Sequence, residues 1–274
     1  MLPIEERSDI QATIATAGQE AVAEDKLHIL EPLRANLVMA AAGANYMTGL
    51  VGNVSIPVYS GGNVGWAGEI EAAADGAGTF SEVTLEPKRI TAYIDISKQF
   101  LIQDSVSAEA LIRADIVRAI SNKLEATILG DAAGTTKQPE GIFYGADALD
   151  DTSYATMVGL VKELEEKNVY GDIKFIVSPS AKATLKTTAK DAGSGLFVMQ
   201  NNEIDGLPVL STSACKGIVL GNFADYVIGQ WGSIDLTIDP YSQATNGKVR
   251  LVVNAYFDAK PRRADAFVAK TLSD

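Results

Sequence analysis

Residues 104–130 read DSVSAEALIRADIVRAISNKLEATILG, and this stretch decides the fold. Ile112, Ile116, Ile120, Leu124 and Ile128 recur every four residues, with Leu111, Val117 and Leu129 beside them. That spacing lays one apolar row along a helix. Asp104 or Ser105 can cap its start, because their side-chain oxygens accept orphan backbone N–H groups. Glu109 precedes Arg113 by four, the favourable order for a helix ion pair. Gly130 is a natural stop. A helix over 105–129 is roughly 37 Å long at about 1.5 Å per residue, enough to span one side of a domain.

Outward from this helix the pattern changes on both sides. Upstream, Leu33, Leu37, Val38 and Met39 form an apolar patch ended by Gly43, Gly49 and Gly52. Then Val64, Trp66, Gly68 and Ile70 alternate with polar or small residues, and Ile90, Ala92, Ile94 and Ile96 do the same. A period of two predicts half-buried strands. The small residues of 72–81 lie between them, so 53–100 reads as a long β-hairpin with a mobile tip. A two-stranded hairpin has no core of its own, so its second face is expected on another subunit.

Downstream, 131–151 reads as a loop, and Met157, Leu160, Val161 and Leu164 as an amphipathic helix starting near Thr152 or Ser153. Ile173–Val177 is a buried strand, and Pro179 opens a helix through about Lys190. Short strands are expected at 197–199, 208–210, 217–220, 226–228 and 234–238, then at 249–257 and 266–269. This order argues an α+β fold.

The chain has 274 residues, 47% of them hydrophobic, which is enough for a sizeable core. Lysines and arginines number 23 against 35 carboxylates, a net charge of −12. Such a chain is repelled by phosphate backbones, which argues against sequence-reading nucleic-acid binding. One cysteine, Cys215, and one histidine, His28, exclude an internal disulfide and a multi-histidine or cysteine metal centre. Met1–Arg7 lacks a basic end followed by an apolar run, and the longest apolar run near the start, 37–44, is far short of a bilayer span of about 20 residues. A soluble protein made in a reducing cytoplasm is expected.

Catalytic patterns fail one by one. Gly130–Lys137 lacks the second glycine of a phosphate loop and follows a helix rather than a strand. No serine carries glycines on both sides at the spacing of a nucleophile elbow. His28 and Cys215 have no orienting third group. Glu163, Glu165 and Glu166 read as a solvated helix face, and Asn53-Val54-Ser55 as a chance sequon. No catalytic residue, cofactor or metal is expected. Trp66 reads either as cover for its own arm or as an anchor at a subunit contact, where tryptophan is enriched. Glu69 and Glu71 share one face, solvated or meeting a neighbour's basic group. Candidate interface residues are Trp66, Glu69, Glu71, Lys88, Arg89, Arg250, Arg262 and Arg263.

The order of segments resembles the major capsid proteins of tailed bacteriophages, with the Hong Kong-type phage capsid fold. The resemblance covers about residues 27–270. Leu30-Glu31-Pro32-Leu33-Arg34 and Gly49–Pro57 resemble the approach to that family's extended loop, and 66–69 with 80–90 its two arms. Ile96–Ser105 leads into the spine helix, Gly130–Ile142 is similar to a glycine-rich loop ending Pro-x-Gly-Ile, and Asp205–Val209 and Ala266–Val268 match later landmarks.

The resemblance implies five parts: an N-terminal arm over 1–52, an extended loop over 53–100, a peripheral domain with the spine helix over 101–151, an axial domain over 152–236, and returning strands over 237–274. It implies a virion protein, assembled in the host cytoplasm, that self-assembles into pentamers and hexamers of an icosahedral shell around double-stranded DNA. Scaffold, portal and decoration proteins are its implied further partners, and no membrane is. Many members carry an N-terminal scaffolding segment. Too little chain precedes residue 30 to hold one, so removal or separate scaffolding is expected. Residues 63–81 contain no lysine, so the cross-linking of some members is not carried over. An encapsulin-like compartment enclosing cargo enzymes is the alternative.

Overall fold

The computed structural model describes residues 37–59, 61–62, 64–70, 72–73, 75–99, 107–193 and 195–272. The first element is the short helix α1 (Val38–Ala42), followed by strands β1 (Asn45–Leu50), β2 (Val54–Tyr59), β3 (Phe80–Leu85) and β4 (Lys88–Ser97). The long helix α2 (Ser107–Ile128) comes next, then β5 (Ala148–Leu149), α3 (Tyr154–Glu166), β6 (Ile173–Val177) and α4 (Pro179–Thr187). Strands β7 (Glu203–Ile204), β8 (Leu207–Ser211), β9 (Gly217–Asn222), β10 (Tyr226–Asp239), β11 (Lys248–Pro261) and β12 (Phe267–Leu272) complete the chain.

Three sheets result. A four-stranded sheet runs β1-β10-β11-β4, a six-stranded sheet runs β5-β12-β9-β6-β8-β7, and β2 with β3 forms a separate hairpin. The chain combines four α-helices with mostly antiparallel sheets among the described residues, consistent with the α+β reading. On α2, Ile116, Ile120, Leu124 and Ile128 are all buried, as their spacing requires. They belong to one continuous core with Val253, Ala255 and Phe257 of the four-stranded sheet and Phe175, Val219 and Leu220 of the six-stranded sheet. Ser153 caps α3 by accepting from the Thr156 N–H, and Ser178 caps α4 with Pro179 in its first turn. The capping candidates Asp104 and Ser105 lie outside the described residues, as does His28.

Two strand readings need correction. The alternation at Val64, Trp66, Gly68 and Ile70 forms no strand among the described residues of 61–73, and all of these side chains are exposed. The arm strands are β2 and β3, paired antiparallel from Val54↔Leu85 to Tyr59↔Phe80. The alternation at 90–96 does form a strand, but β4 pairs with β11 rather than with the loop. Ile90 and Ile94 pack against the main core from this strand, and alternation alone cannot name the partner. The expected strands at 226–228 and 234–238 are one 14-residue strand, β10. Gly232, at φ +64, opens a bulge between Trp231 and Asp235 that breaks the pattern without ending the strand.

Truncating Ile120 to alanine should remove about 2–5 kcal/mol of stability, measured by urea unfolding. An unchanged midpoint would place this row outside the core.

Candidate assembly surface

The β2–β3 hairpin is held at one end only. At its foot Leu85 is buried with Val227 and Trp231, and Met47, Leu50, Val54 and Ile56 pack around them. Trp231 Nε1 donates to the Gly52 carbonyl at 2.6 Å, and Lys260 Nζ donates to the Thr84 carbonyl at 2.7 Å. Beyond the foot, one ring pair closes the hairpin: Tyr59 and Phe80 lie 4.7 Å apart, and the Tyr59 hydroxyl accepts from the Gly78 N–H at 3.2 Å. At this neck the two backbones nearly touch. A Cβ on Gly78 would lie 2.2 Å from the Gly61 carbonyl oxygen, and one on Gly62 would lie 2.6 Å from that of Gly76. Only glycine fits there. Past the neck Val64, Trp66 and Ile70 are fully exposed. Large apolar side chains are seldom left wholly in water without a partner surface.

The interface candidates divide by what they already touch. Lys88 Nζ lies 2.7 Å from Asp258 Oδ1, with both side chains buried. The other Asp258 oxygen accepts from the Glu86 N–H at 3.0 Å, so this carboxylate joins the end of the hairpin to β11. Arg250 grips Asp95 with two parallel hydrogen bonds of 2.7 and 2.9 Å and lies over the Tyr93 ring. That grip holds the Asp95 carboxyl below its ordinary range. Arg262 pairs with Asp225 at 2.5 Å. Arg89, Arg263, Trp66 and Glu69 are exposed, and neither arginine has an ion pair among the described residues. Glu71 lies outside the described residues.

A groove of about 420 Å³ runs between α2 and β4, the edge strand of its sheet. Ile90, Ala92, Ile94 and Ala119 line its apolar floor, and Arg89, Lys123 and Lys137 stand on its rim beside Asp115. A second cleft of about 820 Å³ lies beside the loop 134–141 and is rimmed by both signs of charge, including Glu86, Glu140, Lys260 and Lys270. Burial pushes the hydroxyl of Tyr226, in its wall, well above the usual range. Among the described residues no three His, Cys, Asp or Glu side chains converge as a metal site, and no helix is long and apolar enough to cross a membrane.

Trp231, Asp258 and Glu125 were not singled out from sequence. Trp231 follows an apolar run, but the bulge at Gly232 hid its membership of a continuous strand. Asp258 and Glu125 carry no local signal, because their partners are distant in the chain.

Residues 24–271 match the phage capsid family. The chain belongs to that family. It is 28% identical over 246 residues to the major capsid protein of Halomonas phage phiHAP-1, covering 86% of this chain and 41% of that protein. This family member thus spans less than half the length of that curated relative. The capsid of an empty GTA particle computed with C5 symmetry shares the fold at a TM-score of 0.72 and 16% identity, covering 96% of this chain and 99% of the other. A chain from Mycobacterium phage Adephagia does so at 0.70 and 13%, covering 87% and 90%.

Replacing Lys88 with methionine should cost about 3–5 kcal/mol in urea unfolding, because Asp258 is left charged and buried alone. The double variant Lys88→Met, Asp258→Leu should recover part of that loss. A single variant as stable as the parent would contradict the buried pair.

Proposed function

We propose that this phage capsid family chain is a major capsid protein: a structural subunit, not an enzyme, that tiles into pentamers and hexamers of an icosahedral shell around double-stranded DNA. One observation carries the mechanism. An apolar tip bearing Val64, Trp66 and Ile70 extends from a hairpin pinned only at its foot. Residues 61–79 carry Glu69, Glu71 and Asp75 and no cation. The tip therefore suits an apolar surface with a basic rim.

The groove between α2 and β4, rimmed by Arg89, Lys123 and Lys137, has that character. A six-residue strand at about 3.4 Å per residue puts the tip roughly 20 Å from the hairpin's foot, so its own groove is out of reach while β2 and β3 stay paired. The tip of one copy on the groove of the next gives a contact between two different patches, and such contacts build rings and shells rather than closed dimers. Trp66 supplies burial, and Glu69 with Glu71 sets register against the arginine and lysines. Arg262 and Arg263 lie at the end of β11, away from the groove, and are assigned to a separate contact.

The net charge of −12 suits a container. A wall with few free cations binds DNA weakly, leaving counterions to neutralise the genome. Scaffold, portal and decoration proteins are expected partners, and assembly is expected in the host cytoplasm. A cargo-enzyme compartment is not favoured, because the matched family and the curated relative are phage capsid proteins.

Electron microscopy of purified protein tests this reading. Symmetric closed particles with nuclease-protected DNA are expected, whereas a small oligomer would refute it. The double variant Trp66→Ala, Ile70→Ser should melt like the parent, because neither side chain packs within the subunit. Its contact with a neighbour should weaken by about 2 kcal/mol, roughly 30-fold in the concentration needed for assembly, read by light scattering. Unimpaired assembly would remove the tip from the interface.

A further inference from the structure

Glu125 lies one turn before the end of α2 and is only 5% exposed. It accepts hydrogen bonds from the Thr212 hydroxyl, in the turn after β8, and from the backbone N–H of Val38, at the start of α1. Leu37 gives α1 no side-chain cap and its first turn holds no acid, so the carboxylate from α2 satisfies that end instead. The second carboxylate oxygen, Oε1, is buried with no partner. Three elements distant in sequence thus meet at one acid.

No cation compensates it among the described residues. Helix α1 has no ionisable side chain. From the turn after β8 the titratable groups are Cys215, whose thiol burial pushes up to about 12, with the Glu125 charge adding to the rise, and Lys216, whose side chain is exposed to solvent. Lys182, beside that turn, donates to Ser211 Oγ at 3.2 Å. Lys174, at the far end of α1, is paired with Asp172 at 2.7 Å and donates to the Ala42 carbonyl at 3.1 Å. On α2 the next cation toward Glu125, Lys123, lies on the rim of the opposite groove.

We infer that Glu125 is a proton-operated joint: its protonated form locks α1 and the turn after β8 onto α2, and its ionised form loosens them. Ionisation sends the proton to solvent and leaves a negative charge in an apolar setting, with one oxygen unsolvated. Burial raises the carboxyl above its ordinary 4.5, against the two hydrogen bonds that lower it. The sign follows by linkage. Between 4.5 and the raised folded value the folded chain holds a proton that the unfolded chain has released. Stability from this group is therefore full below 4.5 and falls as pH rises through the folded value.

Hydrogen exchange of the 38–44 amides, corrected for intrinsic rates, tests this on the full chain from pH 4 to pH 8. In the parent, protection should fall as pH rises, together with the melting temperature. Glu125→Gln keeps an acceptor for Thr212 and Val38 but cannot ionise. It should abolish that slope, exchange roughly tenfold more slowly at pH 8, and melt higher there. An unchanged slope, or a lower melting temperature at pH 8, would overturn the joint. Should the amide variant not fold, Thr212→Val serves: losing a bond to the charged form should move the midpoint to higher pH, and an unmoved midpoint would overturn the assignment equally.

Discussion

Burial of one apolar row on α2 is the constraint on which the remaining structure depends. Ile116, Ile120, Leu124 and Ile128 share a single core with both larger sheets. The four-stranded sheet has four strands and a long bulged pair, β10 with β11, yet it needs a cover for the face that carries Val253, Ala255 and Phe257. The helix provides it, and its C-terminal end reaches the six-stranded sheet as well. A two-stranded hairpin finds no place in that arrangement. It stands outside the core, joined to it through Leu85, Trp231 and the Asp258 carboxylate.

How much of this is legible in the sequence depends on how local the cause is. Helix α2, the starts of α3 and α4, and strand β6 follow from periodicity and from side chains within a few residues, and each appears where expected. In the loop, alternation alone does not make a strand. At 64–70 the glycines leave nothing to pair and nothing to pack, whereas at 88–97 the same alternation meets β11. Strand β10 was split because Gly232 interrupts the pattern while the hydrogen-bonded ladder resumes beyond it. Of the basic candidates, charge alone does not separate Lys88, Arg250 and Arg262, which find carboxylates within the chain, from Arg89 and Arg263, which find none among the described residues.

That division matters for how a shell can be both sturdy and assembled from soluble parts. Charges that hold the subunit together are paired inside it. On the proposed reading, the apolar tip and the exposed basic rim are left for association. Strength within a copy and attraction between copies are thereby assigned to different residues, and each can be tuned without disturbing the other.

The crossing of bare backbones at Gly61–Gly62 and Gly76–Gly78 separates two regimes of tolerance. Below it, every residue is bound by strand register. Above it, the chain between the two crossing points is a cassette whose length and chemistry are free to diverge as long as Gly62 and Gly78 persist, where a Cβ would meet backbone. Peptides grafted at Ala72 or Ala73 would ride on that cassette without rewriting the scaffold beneath.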